Sequence, residues 1–258
     1  MKIHYLGTCS GTEPQAGMHH CSLIMEINGL NYWFDAGECC VHTAYTSGID
    51  VMKTRALFVS HPHLDHTGGL ANLFACINKL ANKRFMQRLV YQNTLPVYFP
   101  DMEILKAIRL VCSSESNYTI DAHRLADGLV FADENVQVTA VHNRHMPGDD
   151  GTNGWRSFSF LVETEGKRIV YSGDVKEPQE LDALQIAGAD LLIMETGHHR
   201  PEDICQFALE RNIKRLRFNH HGRIILNDRP AAEQMAADYS KKTEMSVKIC
   251  YDGMVEEY

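Results

Sequence analysis

The 258-residue sequence lacks several features that would assign a class at once. It has no apolar run near the roughly 18 residues that a membrane span needs. Its start, "MKIHYLGTCSG", lacks the apolar stretch of a signal peptide, so the expected compartment is the cytoplasm. None of its eight cysteines forms a C-x-x-C pair, which leaves no zinc ribbon and no dithiol redox motif. Positive charge is in deficit: 25 Lys and Arg against 33 Asp and Glu give a formal net charge of −8. A large polyanionic partner is usually met by a basic face, so bulk nucleic acid is disfavoured. No repeat, low-complexity tract or linker divides the chain, and residues 1–258 are expected to form a single domain.

What is abundant is histidine, with 14 residues. Four ligand-type side chains fall within "HPHLDH": His61, His63, Asp65 and His66. The stretch follows the short apolar run "RALFVS", which reads as a buried strand, and Pro62 disfavours a helical conformation at His61. A loop is therefore expected. Side chains two apart in an extended segment share a direction, so His61 and His63 can hold one ion, with Asp65 and His66 reaching a second. Gly68 and Gly69 then permit a tight turn into a helix over Leu70–Leu80. Imidazole and carboxylate donors suit zinc, with manganese or iron as alternatives.

The remaining pattern alternates strands and helices. Strands are expected at Lys2–Leu6 and, around an Asn28-Gly29 hairpin turn, at Ser22–Ile27 and Leu30–Phe34. More follow at Pro96–Phe99, Val136–Val141, Ser157–Glu163, Lys167–Tyr171, Asp190–Met194, Lys214–Phe218 and Val247–Tyr251. Helices are expected at Met102–Val111, Pro201–Arg211 and Pro230–Ser240. Such a mixture suggests two sheets with helices outside them.

His61-Pro-His63-Leu-Asp65-His66 resembles the H-x-H-x-D-H signature of the metallo-β-lactamase superfamily. Further motifs of that family have counterparts in order: "FDAGE" with Asp35, "VTAVHNRH" with His145 ahead of His142, "YSGDV" with Asp174, and "LRFNHHG" with His220 rather than His221. The resemblance runs over roughly Met1 to His221. It implies a four-layer αββα sandwich of two mixed β-sheets flanked by helices. It also implies two divalent ions, zinc first and manganese second. One would take His61, His63 and His145, the other Asp65, His66 and His220, with Asp174 shared and Asp35 orienting a ligand histidine. A two-metal-activated hydroxide would attack the substrate.

Within the superfamily, "DLLIMETGHH" is similar to a segment of the transfer-RNA 3′-processing endonucleases (ribonuclease Z), in which a Glu supports a catalytic histidine. Glu195 matches that Glu; Met194 departs from the family's flanking His. His198 lies 22 residues before His220, that branch's spacing, and is the implied general acid, with His199 as its rival. Asp65, Glu195 and His198 are the implied catalytic residues. The branch's arm for clamping transfer RNA lies between the third histidine and the shared aspartate. Here Asp174 lies 29 positions after His145, and two expected strands nearly fill the interval. A small phosphodiester is therefore preferred, as in the compact cyclic ribose-phosphate phosphodiesterases, which end in a segment similar to "YDGM", and the anti-Pycsar cyclic-nucleotide phosphodiesterases. The implied reaction is hydrolysis of a 3′,5′-cyclic mononucleotide to its linear monophosphate, by a homodimer in the family's habit. The alternatives are a ribonuclease Z-like endonuclease, a cyclic ribose-phosphate phosphodiesterase, a thioester hydrolase of the glyoxalase II type, and a nucleotide-binding protein without catalysis. Trp155 in "MPGDDGTNGWRSF" either stacks on a base or packs in a core. His19 and His20 either line a pocket rim or are polar loop residues. "KRFMQRLVYQN" is read as a solvated face or a dimer contact, and His4, His42 and His123 receive no role.

Overall fold

The computed structural model describes residues 1–82, 84–112, 117–146 and 154–258. They form two compact units: Met1–Leu125 with Asp252–Tyr258, and Ala126–Tyr251.

The first unit is built on a seven-stranded mixed sheet. Its strands are β1 (Lys2–Gly7), β2 (Ser22–Ile27), β3 (Leu30–Phe34), β4 (Thr54–Phe58), β5 (Thr94–Phe99) and β6 (Thr119–Arg124), with the C-terminal strand Val255–Glu257 on the edge beside β1. Pairing is antiparallel from that edge through β3 and parallel from β3 to β6. The β2–β3 hairpin turns at Asn28 and Gly29, both at positive φ (50° and 74°), the geometry that an Asn-Gly pair favours. Helices α1 (Cys40–Thr46), α2 (Leu64–Thr67), α3 (Leu70–Leu80) and α4 (Met102–Cys112) complete the unit. On α3 the buried residues are Leu70, Leu73, Phe74 and Ile77, the i, i+3, i+4, i+7 stripe of a helix laid on a core. That core includes Trp33, Leu57, Val97 and Phe99.

The second unit holds the other seven-stranded mixed sheet, in consecutive order: β7 (Gly128–Ala132), β8 (Gln137–His142), β9 (Phe158–Thr164), β10 (Lys167–Tyr171), β11 (Leu191–Thr196), β12 (Arg215–His221) and β13 (Ser246–Ile249). It too is antiparallel over its first four strands and parallel over the rest. Every residue of β11 is buried, as expected of a parallel strand covered on both faces. Helices α5 (Pro201–Glu210), α6 (Arg223–Asn227) and α7 (Arg229–Lys242) belong to this unit, and α5 buries Ile204, Cys205 and Ala208 in its core.

In both units the parallel strands feed the ligand-type residues. Asp35 follows β3, His61 follows β4, Asp174 follows β10, Glu195 lies at the end of β11 and His220 at the end of β12. Loops beyond the carboxyl ends of parallel strands gather side chains on one edge of a sheet.

Candidate metal centre

In the first unit the chain leaves β4 extended, and His63 keeps an extended backbone (φ −61°, ψ 149°). The expected loop ends there. Leu64–Thr67 forms one helical turn, so Asp65 and His66 project from α2. Pro62 restrains only the residue before it, and nothing opposes helix from Leu64 onward. The glycines behind it serve close approach rather than unusual φ angles. A Cβ at Gly69 would lie 2.2 Å from the Gly37 carbonyl oxygen and 2.5 Å from Cys40 Sγ. Two backbone bonds sew this turn to the Asp35 turn: Gly69 N–H donates to Ala36 O (2.8 Å) and Ala36 N–H to His66 O (2.8 Å).

Asp35 is fully buried at φ 57° and sets the tautomers of two histidines. Its Oδ1 accepts from Ser60 N–H at 2.6 Å; its Oδ2 accepts from Ser60 Oγ at 2.8 Å and from His66 Nδ1 at 2.7 Å. A carboxylate only accepts, so His66 carries its proton on Nδ1 and its lone pair on Nε2. Ser60 has spent its one hydroxyl hydrogen on Asp35. Its contact with His61 Nδ1 at 3.0 Å must therefore accept the histidine's proton. The lone pair of His61 then sits on Nε2, 2.9 Å from His63 Nδ1. Two nitrogens bound about 2.0–2.1 Å from one tetrahedral ion lie about 3.3 Å apart, so this pair is spaced to share a metal. His66 Nε2 lies 3.4 Å from Asp65 Oδ2, a second imidazole–carboxylate pair.

In the second unit Asp174 is the hub. Its Oδ2 lies 3.4 Å from His220 Nε2, 3.7 Å from His145 Nε2 and 3.9 Å from His198 Nδ1. His145 is held by its loop: its N–H donates to Asn143 Oδ1 (3.1 Å), and Asn143 Oδ1 also accepts from Ser157 Oγ (2.7 Å). Beside it, Arg144 Nε donates to Glu180 Oε1 at 2.6 Å. His142, the rival position, points elsewhere. It pairs with Asp127 (2.7 Å) and stacks against the Trp155 ring at 3.9 Å and 11°. Trp155 is thus neither core nor bare: one face covers His142, and the residue is 40 % exposed. Most of the glycine-rich stretch before it, 147–153, lies outside the described residues.

His220 owes its direction to a bulge. Along β11 and β12, Glu195 pairs with Asn219 and Thr196 with His221, which leaves His220 as the extra residue at φ 49°. Bulges re-aim side chains in this way. Without it the alternation of the strand would send His220 and His221 to opposite faces in another order. His221 turns instead to the Cys250 carbonyl at 2.8 Å, and burial pulls its pKa down to about 4, which keeps it neutral. Glu195, buried at the end of β11, accepts from His198 Nδ1 (3.0 Å) and from His198 N–H (3.0 Å). Burial opposes ionisation of Glu195, but the His198 and His220 hydrogen bonds overcome it and hold the carboxyl at about 2. The Glu195 hydrogen bond in turn raises the His198 pKa. His199, the rival of His198, donates from Nε2 to the Val175 carbonyl (3.0 Å) and lies 3.4 Å from Glu195 Oε1. A carbonyl accepts only, so His199 Nε2 carries a proton there.

The donor set is imidazole and carboxylate throughout, oriented by buried acceptors, and its chemistry fits divalent ions of the zinc and manganese kind. Ser60, Asn143, Ser157 and Glu180 escaped the sequence reading. Ser60 was signalled by its place beside His61; the others carry no local signature.

Residues 33–240 match the model of the beta-lactamase superfamily domain, and the chain belongs to that family. It is a metal-dependent hydrolase of that superfamily, and its likenesses are consistent with the ribonuclease Z-like branch. It is similar to the ribonuclease Z of Metallosphaera sedula, 22 % identical over 262 aligned residues that cover 85 % of this chain and 88 % of the relative. The match to the ribonuclease Z of Listeria monocytogenes is 28 % identical over 173 residues, 65 % of this chain, and spans about half (51 %) of that protein. Among solved structures, the short form of human tRNase Z superposes with a TM-score of 0.75 at 20 % identity, covering 100 % of this chain and 99 % of that one. A diphosphatase from the PhnP family gives 0.66 at 14 %, covering 100 % and 97 %. These likenesses bear out the expected fold, with two mixed seven-stranded sheets flanked by helices.

Proposed function

We propose that the chain hydrolyses a small phosphodiester, a 3′,5′-cyclic mononucleotide, to its linear monophosphate. The observation that carries this reading is the Glu195–His198 pair set beside Asp174, with His198 half-exposed toward an incoming substrate. We assign His61, His63, Asp65, His66, His145, Asp174 and His220 as donors to two divalent ions, zinc or manganese. Such ions, when bound, activate water and neutralise charge on phosphoryl oxygens.

The chain's own residues do the rest. Glu195 accepts from His198 Nδ1 and favours the imidazolium form of the ring, which carries a second proton on Nε2 for the leaving group. As water oxygen bonds to phosphorus and the P–O ester bond breaks, His198 Nε2 passes its proton to the departing ribose oxygen. Asp35 and Ser60 keep lone pairs on Nε2 of His66 and His61. Asp65 counts among the catalytic residues through its place beside His66.

The short interval between His145 and Asp174 supports a small substrate. Strands β9 and β10 occupy much of it. The net charge of −8 points the same way. A second reading, a ribonuclease Z-like endonuclease, is favoured by the relatives named ribonuclease Z that the chain matches at nearly full length. One panel decides between them: 3′,5′-cyclic nucleotides, a cyclic ribose phosphate, bis(p-nitrophenyl) phosphate and a precursor transfer RNA, each with zinc or manganese. Turnover of a cyclic nucleotide with little cleavage of the RNA is expected. Efficient release of the RNA 3′ trailer, with cyclic nucleotides untouched, would replace the first reading with the second.

A further inference from the structure

A second donor cluster stands in the first unit and shares no ligand with the one above. A ring nitrogen of His19, a Glu38 carboxylate oxygen and Cys39 Sγ lie within 4.8 Å of one another. His20 adds a fourth: its Nδ1 is 3.9 Å from Glu38 Oε1, against 4.0 Å for His19 Nδ1. Two imidazoles, a carboxylate and a thiolate make a complete tetrahedral set for zinc. Such donors stand about 3.3–3.6 Å apart around the ion, so closing the cluster asks the part-exposed His19, Glu38 and Cys39 side chains to draw together from within 4.8 Å of one another, and the His20 ring to swing in from its place beside Glu38.

Contacts with the backbone hold the His19 and His20 peptides in place independently of any ion. The Asp252 carboxylate accepts from His19 N–H (2.5 Å), from Thr8 N–H (2.9 Å) and from Thr8 Oγ1 (2.7 Å). Cys9 N–H donates to His19 O at 2.9 Å. A Cβ at Gly37 would fall 2.8 Å from His20 O, and one at Gly7 would fall 1.9 Å from it, so both neighbouring segments press against the His20 peptide. The entry loop after β1 and the turn after β3 are thus in contact at the cluster.

Cys39 supplies a further observation. Its φ is 60°, in the left-handed region where glycine sits without cost and a side chain does not. It begins α1 with no side-chain cap bond, so the side chain is not retained for capping. It is also the one exposed cysteine of the eight. A strained, exposed thiol grouped with a glutamate and a histidine is placed for a ligand's role. Thiolate donors select zinc or copper(I) over magnesium, calcium and manganese.

We propose that His19, His20, Glu38 and Cys39 form a mononuclear zinc site that clamps the entry loop to the turn carrying Asp35. Binding releases the Cys39 thiol proton to solvent and forms one zinc–sulfur bond. This does not depend on the substrate proposed above. The test uses cobalt(II) added to the metal-free full chain. Every donor assigned to the other site is nitrogen or oxygen, so a near-ultraviolet thiolate-to-cobalt charge-transfer band reports this cluster alone. The band is expected in the wild type, absent in Cys39→Ser, and retained in Asp174→Ala. The paired change His19→Ala with Glu38→Gln is expected to weaken cobalt binding at the band at least tenfold. Cys39→Ser replaces one atom at an exposed position, and far-ultraviolet circular dichroism checks its fold. No band in the wild type, a band surviving in Cys39→Ser, or a band lost in Asp174→Ala would each overturn the proposal.

Discussion

Asp35 is the residue on which most of the first unit's ligand chemistry turns. Through Ser60 and His66 Nδ1 it fixes where two imidazoles carry their lone pairs. Asp35→Asn keeps the shape but offers an N–H2 where an acceptor is needed. Removal of a ligand's orienting partner commonly costs 10–100-fold in metal affinity, and a loss of about that size is expected in competition with a chelating dye. His198→Ala should keep its metal content, since His198 is assigned no ligand role, while turnover falls by about 10²–10⁴ as for the loss of a general acid. Asp174→Ala should lose both, because one carboxylate oxygen serves three histidines. Metal analysis alongside steady-state rates separates these outcomes. Much of this was legible in the residues: "HPHLDH", Asp35, His145, Asp174 and His220 stand out by type and order. What the sequence could not carry is direction. His220 and His221 are equivalent as letters, and the bulge between β11 and β12 separates them. The His19–Cys39 cluster was equally hidden, since its members lie on two segments joined only by folding.

Among the elements, β3, β4, β5 and β6 carry a run of stacked rings. Phe34 meets Phe58 at 5.1 Å, Phe58 meets Tyr98 at 5.0 Å, and Tyr98 meets His123 at 4.8 Å, each between registered neighbours. His123, which had no role in the sequence, closes this ladder and pairs with Asp121 at 2.8 Å. Phe58 sits in the middle, fully buried, two residues before Ser60. Phe58→Ala should cost about 3–5 kcal/mol, read by urea denaturation, and Phe58→Leu distinctly less, because it leaves a smaller void. Elements with a clean period were legible to the residue: the hairpin about Asn28-Gly29, α3 with its apolar stripe, and β10. Those missed have no such signal. β6 ("TIDAHR") is half polar, β7 ("GLVFA") is a five-residue apolar run without alternation, the C-terminal strand is "VEE", and α1 starts from a left-handed Cys39 without a capping side chain. Tertiary pairing, not local preference, makes them strands and a helix.

At the scale of the whole molecule, each unit repeats one pairing plan: three antiparallel pairings followed by three parallel ones among the described residues. The sequence showed the mixture of strands and helices in both halves but no repeat, because the plan is kept by hydrogen-bond topology and not by shared letters. Among the described residues no helix is long and apolar enough to cross a membrane. An ion bound by the native state alone stabilises it by mass action, about 2.7 kcal/mol when present at about 100 times its dissociation constant. Thermal scans with and without a chelator should show that gain, and Asp174→Ala should lose most of it. The two tryptophans offer a way to watch each unit. Trp33 is sealed in the first, its indole N–H bonded to Thr54 Oγ1 at 3.0 Å; Trp155 lies open in the second, flat against His142. Acrylamide should quench the emission of Trp155 and spare that of Trp33. A red shift that survives in Trp155→Phe would mark the opening of the first unit, so the order in which the units melt can be read by intrinsic fluorescence without a label.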